Sequence, residues 1–311
     1  MYMKKRISIL IPVCNEEKNI PIVIDALKSV FEESPYEHTV TFIDDGSNDH
    51  TLEILKKISA VDPQIFFIRL SRNFGHQNAL KAGIDSITEK SDAVIMMDGD
   101  LQHPPELIPV MLQKWEEGFD VVYTIRKDDT KVPLLKKKTS SLFYDLLNKV
   151  SDIELDTGAA DFRILDKKVI PVFKNFNESD LFLRGLSKWV GFRQVAIEYT
   201  PGVRFNGQSK YTIKKMIRFA LQGITSFSTK PLYIAAYLGF AFSMLSLLYI
   251  PYIIYSYFFE KTISGWTSLI ATIAFFGGLQ LMILGIIGLY LGKLFMQSKN
   301  RPHYIIRESN L

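Results

Sequence analysis

Two long stretches without a charged residue dominate the last third of the chain. They run from Pro231 to Phe259 and from Thr262 to Gly292, separated by Glu260 and Lys261. A helix of about 20 mostly apolar residues crosses a bilayer, so each stretch is long enough to do so. Two buried core helices are the alternative. Glycines spaced for close helix contact favour the membrane, namely Gly277, Gly278, Gly285 and Gly288. We therefore predict a transmembrane helical hairpin at residues 231–297, followed by a tail at 298–311.

Basic residues flank the predicted hairpin on its open side. Lys210, Lys214, Lys215, Arg218 and Lys230 precede it, and Lys293, Lys299, Arg301 and Arg307 follow it. The loop inside the hairpin carries one acid and one base. By the positive-inside rule, we expect a multi-pass protein of the cell membrane with both termini and residues 1–230 in the cytoplasm.

Net charge and cysteine content bear on nucleic-acid binding, disulfides and metal clusters. The formal net charge is only +4, with 37 basic and 33 acidic residues, which does not favour a nucleic-acid partner. Cys14 is the single cysteine. An internal disulfide and a cysteine-based metal cluster are therefore excluded.

Residues 1–230 alternate between short apolar runs and segments with helical spacing. The runs that we predict as strands are Ile7–Val13, Val40–Ile43, Ile65–Leu70, Ala93–Met97 and Val121–Thr124. Nearly continuous apolar runs are typical of parallel strands that are covered on both faces. The alternation predicts an α/β domain with a parallel sheet and helices on both sides.

Polar residues follow the predicted strands, one cluster after each. They are Asn15 and Glu16, Asp44 and Asp45, Arg72 and Asn73, Asp98 and Asp100, and Arg126. Ligands of open α/β sheets bind beyond the carboxyl ends of the strands. The repetition therefore predicts a single site at this edge of the sheet, although any one cluster alone fits an ordinary turn.

Asp98-Gly99-Asp100 is the most specific of these clusters. Two carboxylates separated by one residue are suited to Mg²⁺ or Mn²⁺, which could bridge to phosphate oxygens. Gly99 allows close approach of the backbone, and Gln102 offers another oxygen. A solvated turn is the alternative for the tripeptide taken by itself.

Six segments in order resemble the inverting glycosyltransferase family 2. They are IPVCNEE (11–17), DDGS (44–47), SRNFGHQ (71–77), DGDLQHPPE (98–106), TGAADFRIL (157–165) and RFNGQSKY (204–211). More narrowly, they resemble its polyprenyl-phosphate branch, which includes dolichol-phosphate mannose synthase and bacterial undecaprenyl-phosphate glycosyltransferases. The resemblance implies a GT-A type nucleotide-diphospho-sugar transferase domain followed by a two-helix transmembrane hairpin.

The resemblance also implies roles for particular residues. Asp98, Asp100 and Gln102 would hold Mg²⁺ or Mn²⁺, and Asp161 and Arg126 would be catalytic, with Arg126 near the donor diphosphate. Arg204, Ser209 and Lys210 would contact phosphate groups on a loop near the membrane. The nucleotide would be bound by Pro12, Asn15, Glu16, Asp44, Asp45, Arg72 and Gly99. Cys14 departs from the family pattern, which usually has tyrosine there, so one contact to the nucleobase is altered.

Asp161 allows more than one interpretation. A phosphate monoester has a second pKa near 6, so a phosphate acceptor is already largely ionised at neutral pH. We therefore favour a role in orienting the acceptor or offsetting charge near the sugar, with general base catalysis second. A structural salt bridge to Arg163 is the alternative.

Two further segments are predicted to lie in the membrane interface. Residues 134–150 and 211–229 combine lysines and arginines with apolar residues at helical spacing. Basic amphipathic helices bind the headgroup region. A surface helix of a soluble domain is the alternative for either segment.

These observations predict a metal-dependent, inverting transfer of a sugar from a UDP-sugar to undecaprenyl phosphate, for modification of cell-envelope glycans. Expected partners are the nucleotide sugar, the polyprenyl phosphate, the membrane, a further copy of the chain in a homo-oligomer and a separate flippase. A processive polysaccharide synthase is one alternative, but the Gln-x-x-Arg-Trp element usual in such enzymes does not occur in the sequence. A non-catalytic nucleotide-sugar-binding partner of a flippase is the other.

Overall fold

The computed structural model describes residues 4–32, 34–87, 91–127, 156, 158–178, 180–202, 225, 228–259 and 265–311. The predicted interfacial segment 134–150 lies outside these ranges, as does most of the segment 211–229. Both segments stay predictions.

Eight strands in the described part of the chain form one sheet. They are β1 Arg6–Val13, β2 Glu37–Asp44, β3 Ile65–Leu70, β4 Ala93–Met96, β5 Val121–Arg126, β6 Ala159–Asp166, β7 Gln194–Tyr199 and β8 Ile306–Ser309. Their order across the sheet is β7-β5-β6-β4-β1-β2-β3-β8. All five predicted strands are present, with boundaries shifted by a few residues.

The helices of the described residues follow the predicted alternation. They are α1 Asn19–Phe31, α2 Thr51–Val61, α3 His76–Ser86, α4 Ile108–Glu116, α5 Ile170–Lys174, α6 Leu183–Trp189, α7 Lys230–Phe259 and α8 Trp266–Ser298, with a 3₁₀ turn at Pro105–Leu107.

Helices cover both faces of the sheet. Successive side chains of a strand point to opposite faces, and in β1 Ile9 and Ile11 join one buried apolar cluster whereas Leu10 joins the other. The first cluster includes residues of α1, α2 and α4, and the second includes residues of α3, α5 and α6. Burial on both faces explains why β1 is an almost continuous apolar run.

The prediction of a parallel sheet is wrong for two strands. β6 runs antiparallel to both β4 and β5, and β8 runs antiparallel to β3, so the sheet is mixed. β6 is as apolar as its neighbours because it is also buried on both faces. Composition alone therefore does not reveal its direction.

The predicted tail contains a strand that the sequence analysis did not anticipate. In β8, Ile306–Ser309 pairs with β3, and Glu308 lies 2.7 Å from Lys56 and 3.3 Å from Arg69. Asn310 accepts a hydrogen bond from the backbone N–H of Phe67 at 2.7 Å. The end of the chain thus belongs to the sheet domain.

The two C-terminal helices match the predicted hairpin only in part. One stretch of the described helices, Phe275–Ser298, is long and apolar enough to span a membrane by length and composition, with mean hydropathy 1.8. In α7, the described side chains include an apolar stretch at Lys230–Leu245. A membrane crossing by α7 therefore stays a prediction.

Among the side chains that the structure describes, none packs against the glycines of α8. No described atom outside the local helix backbone lies within 4 Å of where a Cβ would stand at Gly277, Gly278, Gly285 or Gly288. The two helices instead meet through aromatic rings, with Phe242 packed edge-on against Phe275 at 5.9 Å and Phe276 at 5.8 Å. Close helix contact through these glycines, self-association included, therefore stays a prediction.

Gly46 and Gly75 make a matched test of how tightly the loops at the carboxyl end of the sheet pack. Both have positive φ, +69° and +94°, but a Cβ at Gly46 would lie 2.6 Å from the backbone carbon of Arg72, whereas a Cβ at Gly75 meets nothing within 4 Å. Gly75→Ala should cost about 2 kcal/mol of unfolding free energy from backbone strain alone, because φ +94° with ψ 154° is a conformation essentially restricted to glycine. Gly46→Ala should cost roughly 4 kcal/mol, because a steric clash with the backbone adds to the strain. Urea unfolding of the detergent-solubilised protein measures both costs, and equal costs would contradict the close packing.

Candidate active site

A cavity of about 370 Å³ opens at the carboxyl ends of β1, β2 and β4. It is lined by Pro12, Val13, Cys14, Glu16, Asp45, Asn73, Gly75, His76, Asp98, Gly99 and Asp100. The polar clusters that follow the predicted strands therefore meet at one place, as expected for an α/β sheet. Of the predicted site residues that the structure describes, six line this cavity.

The loop after β1 is held in shape by the loop after β2. Asn15 has a positive φ of 59°, its N–H donates to Ser47 Oγ at 2.9 Å, and its side-chain oxygen accepts from Asn48 N at 2.8 Å. Ser47 N in turn donates to Asp44 Oδ1 at 2.9 Å. Asn15 and Asp44 therefore stabilise the loops that form the cavity wall, and neither residue lines the cavity itself.

Asp45 fixes the start of α3 beneath the cavity. Its two oxygens accept from the backbone N–H groups of Phe74 at 2.6 Å and Gly75 at 2.9 Å. Burial raises the pKa of Asp45, and these two hydrogen bonds act in the opposite direction. The carboxylate thus has a structural partner on each oxygen, and its predicted contact with a nucleotide stays a prediction.

Asp98 and Asp100 present carboxylates to the cavity. Asp98 Oδ1 is buried and accepts no hydrogen bond from the described residues. Asp100 Oδ1 accepts from Gln102 N at 3.1 Å. The next residue, Leu101, has a positive φ of 60°, which is costly for a residue with a β-carbon. This conformation turns the chain sharply between Asp100 and Gln102.

The fit of this pair to a divalent cation can be tested on the same atoms. Asp98 Oδ1 is buried and accepts no hydrogen bond from the described residues, although His76 Nε2 lies 3.4 Å from it. A buried carboxylate oxygen without a hydrogen bond is costly unless a cation or donor satisfies it. Among the described residues, no three His, Cys, Asp or Glu side chains converge as a ready metal site. The two aspartates therefore fit a cation that takes its remaining ligands from a bound diphosphate or water.

Asp161 lies on β6, and the register of the sheet places it opposite Asp98. β4 and β6 are antiparallel with Met96 paired to Arg163, and the same register continued by two residues aligns Asp98 with Asp161. The imidazole of His76 lies between them, its Nε2 3.4 Å from Asp98 Oδ1 and 3.4 Å from Asp161 Oδ2. Burial alone lowers the pKa of His76, but the two carboxylates outweigh it and raise the pKa to about 9.

A bidentate ion pair holds the Asp161 carboxylate. Arg184 Nε donates to Oδ1 at 2.9 Å and Nη2 donates to Oδ2 at 2.8 Å, while Asp161 is only 3% exposed. Burial raises the pKa of Asp161, but Arg184 and His76 outweigh that effect and hold the pKa well below its usual range. The expected partner Arg163 lies farther away, with Nη2 at 3.7 Å from Oδ1. Asp161 is therefore an ionised group with a fixed orientation.

The other predicted residues lie at varying distances from this centre. Arg126 ends β5 with an exposed side chain, and Arg72 is exposed with its guanidinium 4.0 Å from the ring centroid of Phe74. Gln102 is held through its backbone oxygen, which accepts from Gly202 N at 3.3 Å. None of these three lines the cavity of described residues. Arg204, Ser209 and Lys210 lie outside the described residues.

Sequence reasoning missed Arg184 and gave no role in the site to Gln77. Arg184 comes 23 residues after Asp161 in the sequence. It lies in α6, a helix that contains no acidic residue of its own. Gln77 was part of the SRNFGHQ motif, but it was not separated from the rest of that motif. No spacing in the sequence indicates that α6 returns to cover β6, so a signal for Arg184 was lacking.

The fold and site together define a class of protein. A mixed sheet covered by helices on both faces, with an acidic cavity at the carboxyl ends of β1 and β4, is the arrangement of a GT-A type glycosyltransferase. The family model for glycosyl transferase family 2 matches residues 8–172, more than half of the chain. The chain belongs to glycosyl transferase family 2 and is a glycosyltransferase.

Relatives match nearly the whole chain. It is 42% identical over 303 residues to the uncharacterized glycosyltransferase YkcC of Bacillus subtilis (strain 168), covering 97% of this chain and 93% of that one. It is 39% identical over 306 residues to the SfII prophage-derived bactoprenol glucosyl transferase of Shigella flexneri, covering 98% of each.

A solved structure shows the same fold at low sequence identity. The mannosyl-3-phosphoglycerate synthase of Rubrobacter xylanophilus superposes with a TM-score of 0.50 at 15% identity, covering 70% of this chain and 71% of that chain. The likeness concerns the fold alone.

Removing Arg184 should reveal how much the buried ion pair contributes to stability. Arg184→Met leaves Asp161 buried without its main partner, which should lower the unfolding free energy at pH 7 by about 3 kcal/mol. Lys188→Met, on the same helix, breaks the more exposed pair with Asp156, whose side chain is 38% exposed, and should cost less than about 1 kcal/mol.

The pH dependence should separate the two variants further. Because the folded-state pKa of Asp161 is depressed, its stabilisation is present above the unfolded-state pKa of about 3.9 and is lost as the pH falls through the folded-state value. The Arg184→Met deficit should therefore shrink between pH 7 and pH 3. Urea unfolding across this range is the measurement, and a constant deficit would contradict the assignment.

Proposed function

We propose that this chain transfers a sugar from a UDP-sugar to a polyprenyl phosphate, with inversion at the anomeric carbon. The polyprenyl phosphate of this proposal is undecaprenyl phosphate. The product is a polyprenyl-monophosphate sugar used to modify cell-envelope glycans. One observation carries the reaction type. Asp98 and Asp100, which suit a diphosphate-bound cation, line the cavity together with His76. The imidazole of His76 lies between Asp98 and a third, ionised carboxylate, that of Asp161.

The similarity of this chain to the bactoprenol glucosyl transferase of Shigella flexneri supports the choice of acceptor, because it extends over 98% of both chains. The acceptor of this proposal is a phosphate monoester. Its second pKa is near 6, so one of its oxygens is already a nucleophile at neutral pH. That oxygen attacks the anomeric carbon, the bond from that carbon to the diphosphate oxygen breaks, and the electron pair leaves with UDP.

The state of Asp161 agrees with such an acceptor. Arg184 keeps the pKa of Asp161 well below its usual range, which makes it a weak base. An acceptor that needed deprotonation would call for a base with a pKa closer to neutrality. We therefore assign Asp161 the task of orienting the sugar or the acceptor and of offsetting positive charge that develops at the anomeric carbon.

In this proposal, Asp98 and Asp100 hold Mg²⁺ or Mn²⁺, with Gln102 as a further ligand. When bound, the cation offsets the negative charge that builds up on the leaving diphosphate. Pro12, Glu16 and Gly99 line the cavity next to the two aspartates and would contact the nucleotide. Arg126, at the end of β5, would add positive charge near the diphosphate.

The loop with Arg204, Ser209 and Lys210 is assigned to the phosphate groups. Its starting point supports this. Gly202 donates to the Gln102 carbonyl, and a Cβ at Gly202 would lie 2.6 Å from the Leu101 oxygen. Gly202, which precedes this segment in the sequence, therefore lies beside Leu101 and Gln102, next to the proposed cation ligand Asp100.

The proposal includes a membrane anchor at residues 231–297 with the sheet domain in the cytoplasm. Contacts at the end of α8 support it. Tyr290 donates to the Ser228 carbonyl at 2.7 Å, Lys293 lies 3.5 Å from Asp180, and Gln297 donates to the Asn177 carbonyl at 2.6 Å. The apolar stretch Phe275–Ser298 is therefore attached directly to the sheet domain, which would hold the cavity near a lipid phosphate.

Transfer of radiolabel from a panel of UDP- and GDP-sugars to undecaprenyl phosphate tests the proposal. Wild type should form an organic-soluble product from a UDP-sugar, and EDTA should abolish it. Asp100→Asn should reduce kcat by at least about 100-fold, because it removes one charge from the cation site. Asp25→Asn makes the same change at an exposed position on α1 and should leave the rate unchanged. No labelled lipid from any donor would contradict the proposal.

A further inference from the structure

The side-chain amide of Gln77 joins three elements around the Asp161 carboxylate. Gln77 lies in the first turn of α3. Its Nε2 donates to Asp161 Oδ2 at 3.3 Å, and its Oε1 accepts from the backbone N–H of Leu183 at 2.9 Å. A backbone N–H can only donate, so it fixes which end of the amide faces Leu183. The NH₂ group must then point at Asp161.

This contact also fixes the start of α6. Leu183 is the first residue of α6, where backbone N–H groups have no partner inside the helix. Gln77 supplies an acceptor for one of them. The next residue is Arg184, whose guanidinium takes both oxygens of Asp161. One amide therefore contacts the carboxylate and also the helix that brings its counter-ion.

The groups around Asp161 make the neutrality of Gln77 important. Among the described residues, the cationic or titratable side chains within 4 Å of the carboxylate are His76 from α3, Arg163 from β6 and Arg184 from α6. Asp98, which follows β4, lies on the other side of His76. Gln77 is the uncharged donor among them, and it shares Oδ2 with Arg184 Nη2. A negative oxygen in its place would lie about 3 Å from Oδ2 and repel it.

We propose that Gln77 is a positioning residue of the glycosyl transfer reaction, whose amide holds the Asp161 carboxylate and the start of α6 in a single arrangement against the bound sugar. The inference rests on the proposed function for its effect on turnover. Its effect on the geometry of the Asp161–Arg184 pair does not depend on that function.

Gln77→Glu is the sharpest test because it changes one end of the amide only. The glutamate keeps an oxygen for Leu183 N–H but turns a second oxygen towards Asp161. At pH 8 both carboxylates are ionised and repel each other, whereas at lower pH they can share one proton. We expect kcat to fall by about 30-fold at pH 8, with at least threefold recovery relative to wild type at pH 6, and KM for the donor to change by less than about twofold.

Two further variants separate the loss of the hydrogen bonds from the effect of an added negative charge. Gln77→Met removes both hydrogen bonds without adding charge, so its loss of kcat should be the same at pH 6 and pH 8. Gln113→Glu makes the same chemical change as Gln77→Glu at an exposed position on α4 and should behave as wild type at both pH values. Activity of Gln77→Glu within twofold of wild type, or a loss that does not depend on pH, would overturn the proposal.

Thermal unfolding of the same variants in detergent needs no turnover. The melting temperature of Gln77→Glu should fall below that of wild type by more at pH 8 than at pH 6, whereas the Gln113→Glu difference should not change with pH. A wild-type protein that makes no glycolipid but shows this pattern would refute the proposed function alone. An equal drop for Gln77→Glu at both pH values would refute the role of the amide.

Discussion

The ion pair between Asp161 and Arg184 is the interaction on which the arrangement of the site depends. A carboxylate that is 3% exposed is tolerable only with a partner that satisfies its charge and both of its oxygens. Arg184 does so with two hydrogen bonds below 3 Å. Because Arg184 is on α6 and Asp161 is on β6, the pair ties the helix layer to the sheet at the edge of the cavity.

The antiparallel direction of β6 is what brings this pair to the cavity. β4 runs towards the cavity and ends there, whereas β6 runs in the opposite direction. The beginning of β6 therefore lies beside the end of β4. Asp98 and Asp100 follow the end of β4 and Asp161 lies near the start of β6, so acidic residues from two distant parts of the sequence reach neighbouring strand ends. His76 then bridges two of them from the first turn of α3.

The sequence predicted the parts of this site that depend on local pattern. Apolar runs located β1 to β5, and the polar residues after them located one edge of the sheet, because parallel strands must end on the same side. Asp98 and Asp100 were found from their spacing, and both line the cavity. Asp161 was identified through resemblance, and the structure places it opposite Asp98.

Long-range pairing could not be predicted in the same way. The direction of β6, the return of β8 to the sheet and the contact of Arg184 with Asp161 each join residues far apart in sequence. Their side chains look ordinary in isolation. The role of Gln77 shows what sequence patterns do not reveal. As one polar residue in a polar motif it carries no distinguishing feature, and its role follows only from where Leu183 N–H and Asp161 stand.

The account rests on attack by a lipid phosphate oxygen on the sugar carbon, and ³¹P NMR of a complete reaction tests that step most directly. The purified protein would be incubated with a UDP-sugar, undecaprenyl phosphate and Mg²⁺ until the signals stop changing. The account predicts equal amounts of UDP and a polyprenyl sugar phosphodiester, with no UMP. UMP together with a polyprenyl diphosphate, or UDP without any phosphodiester, would contradict it.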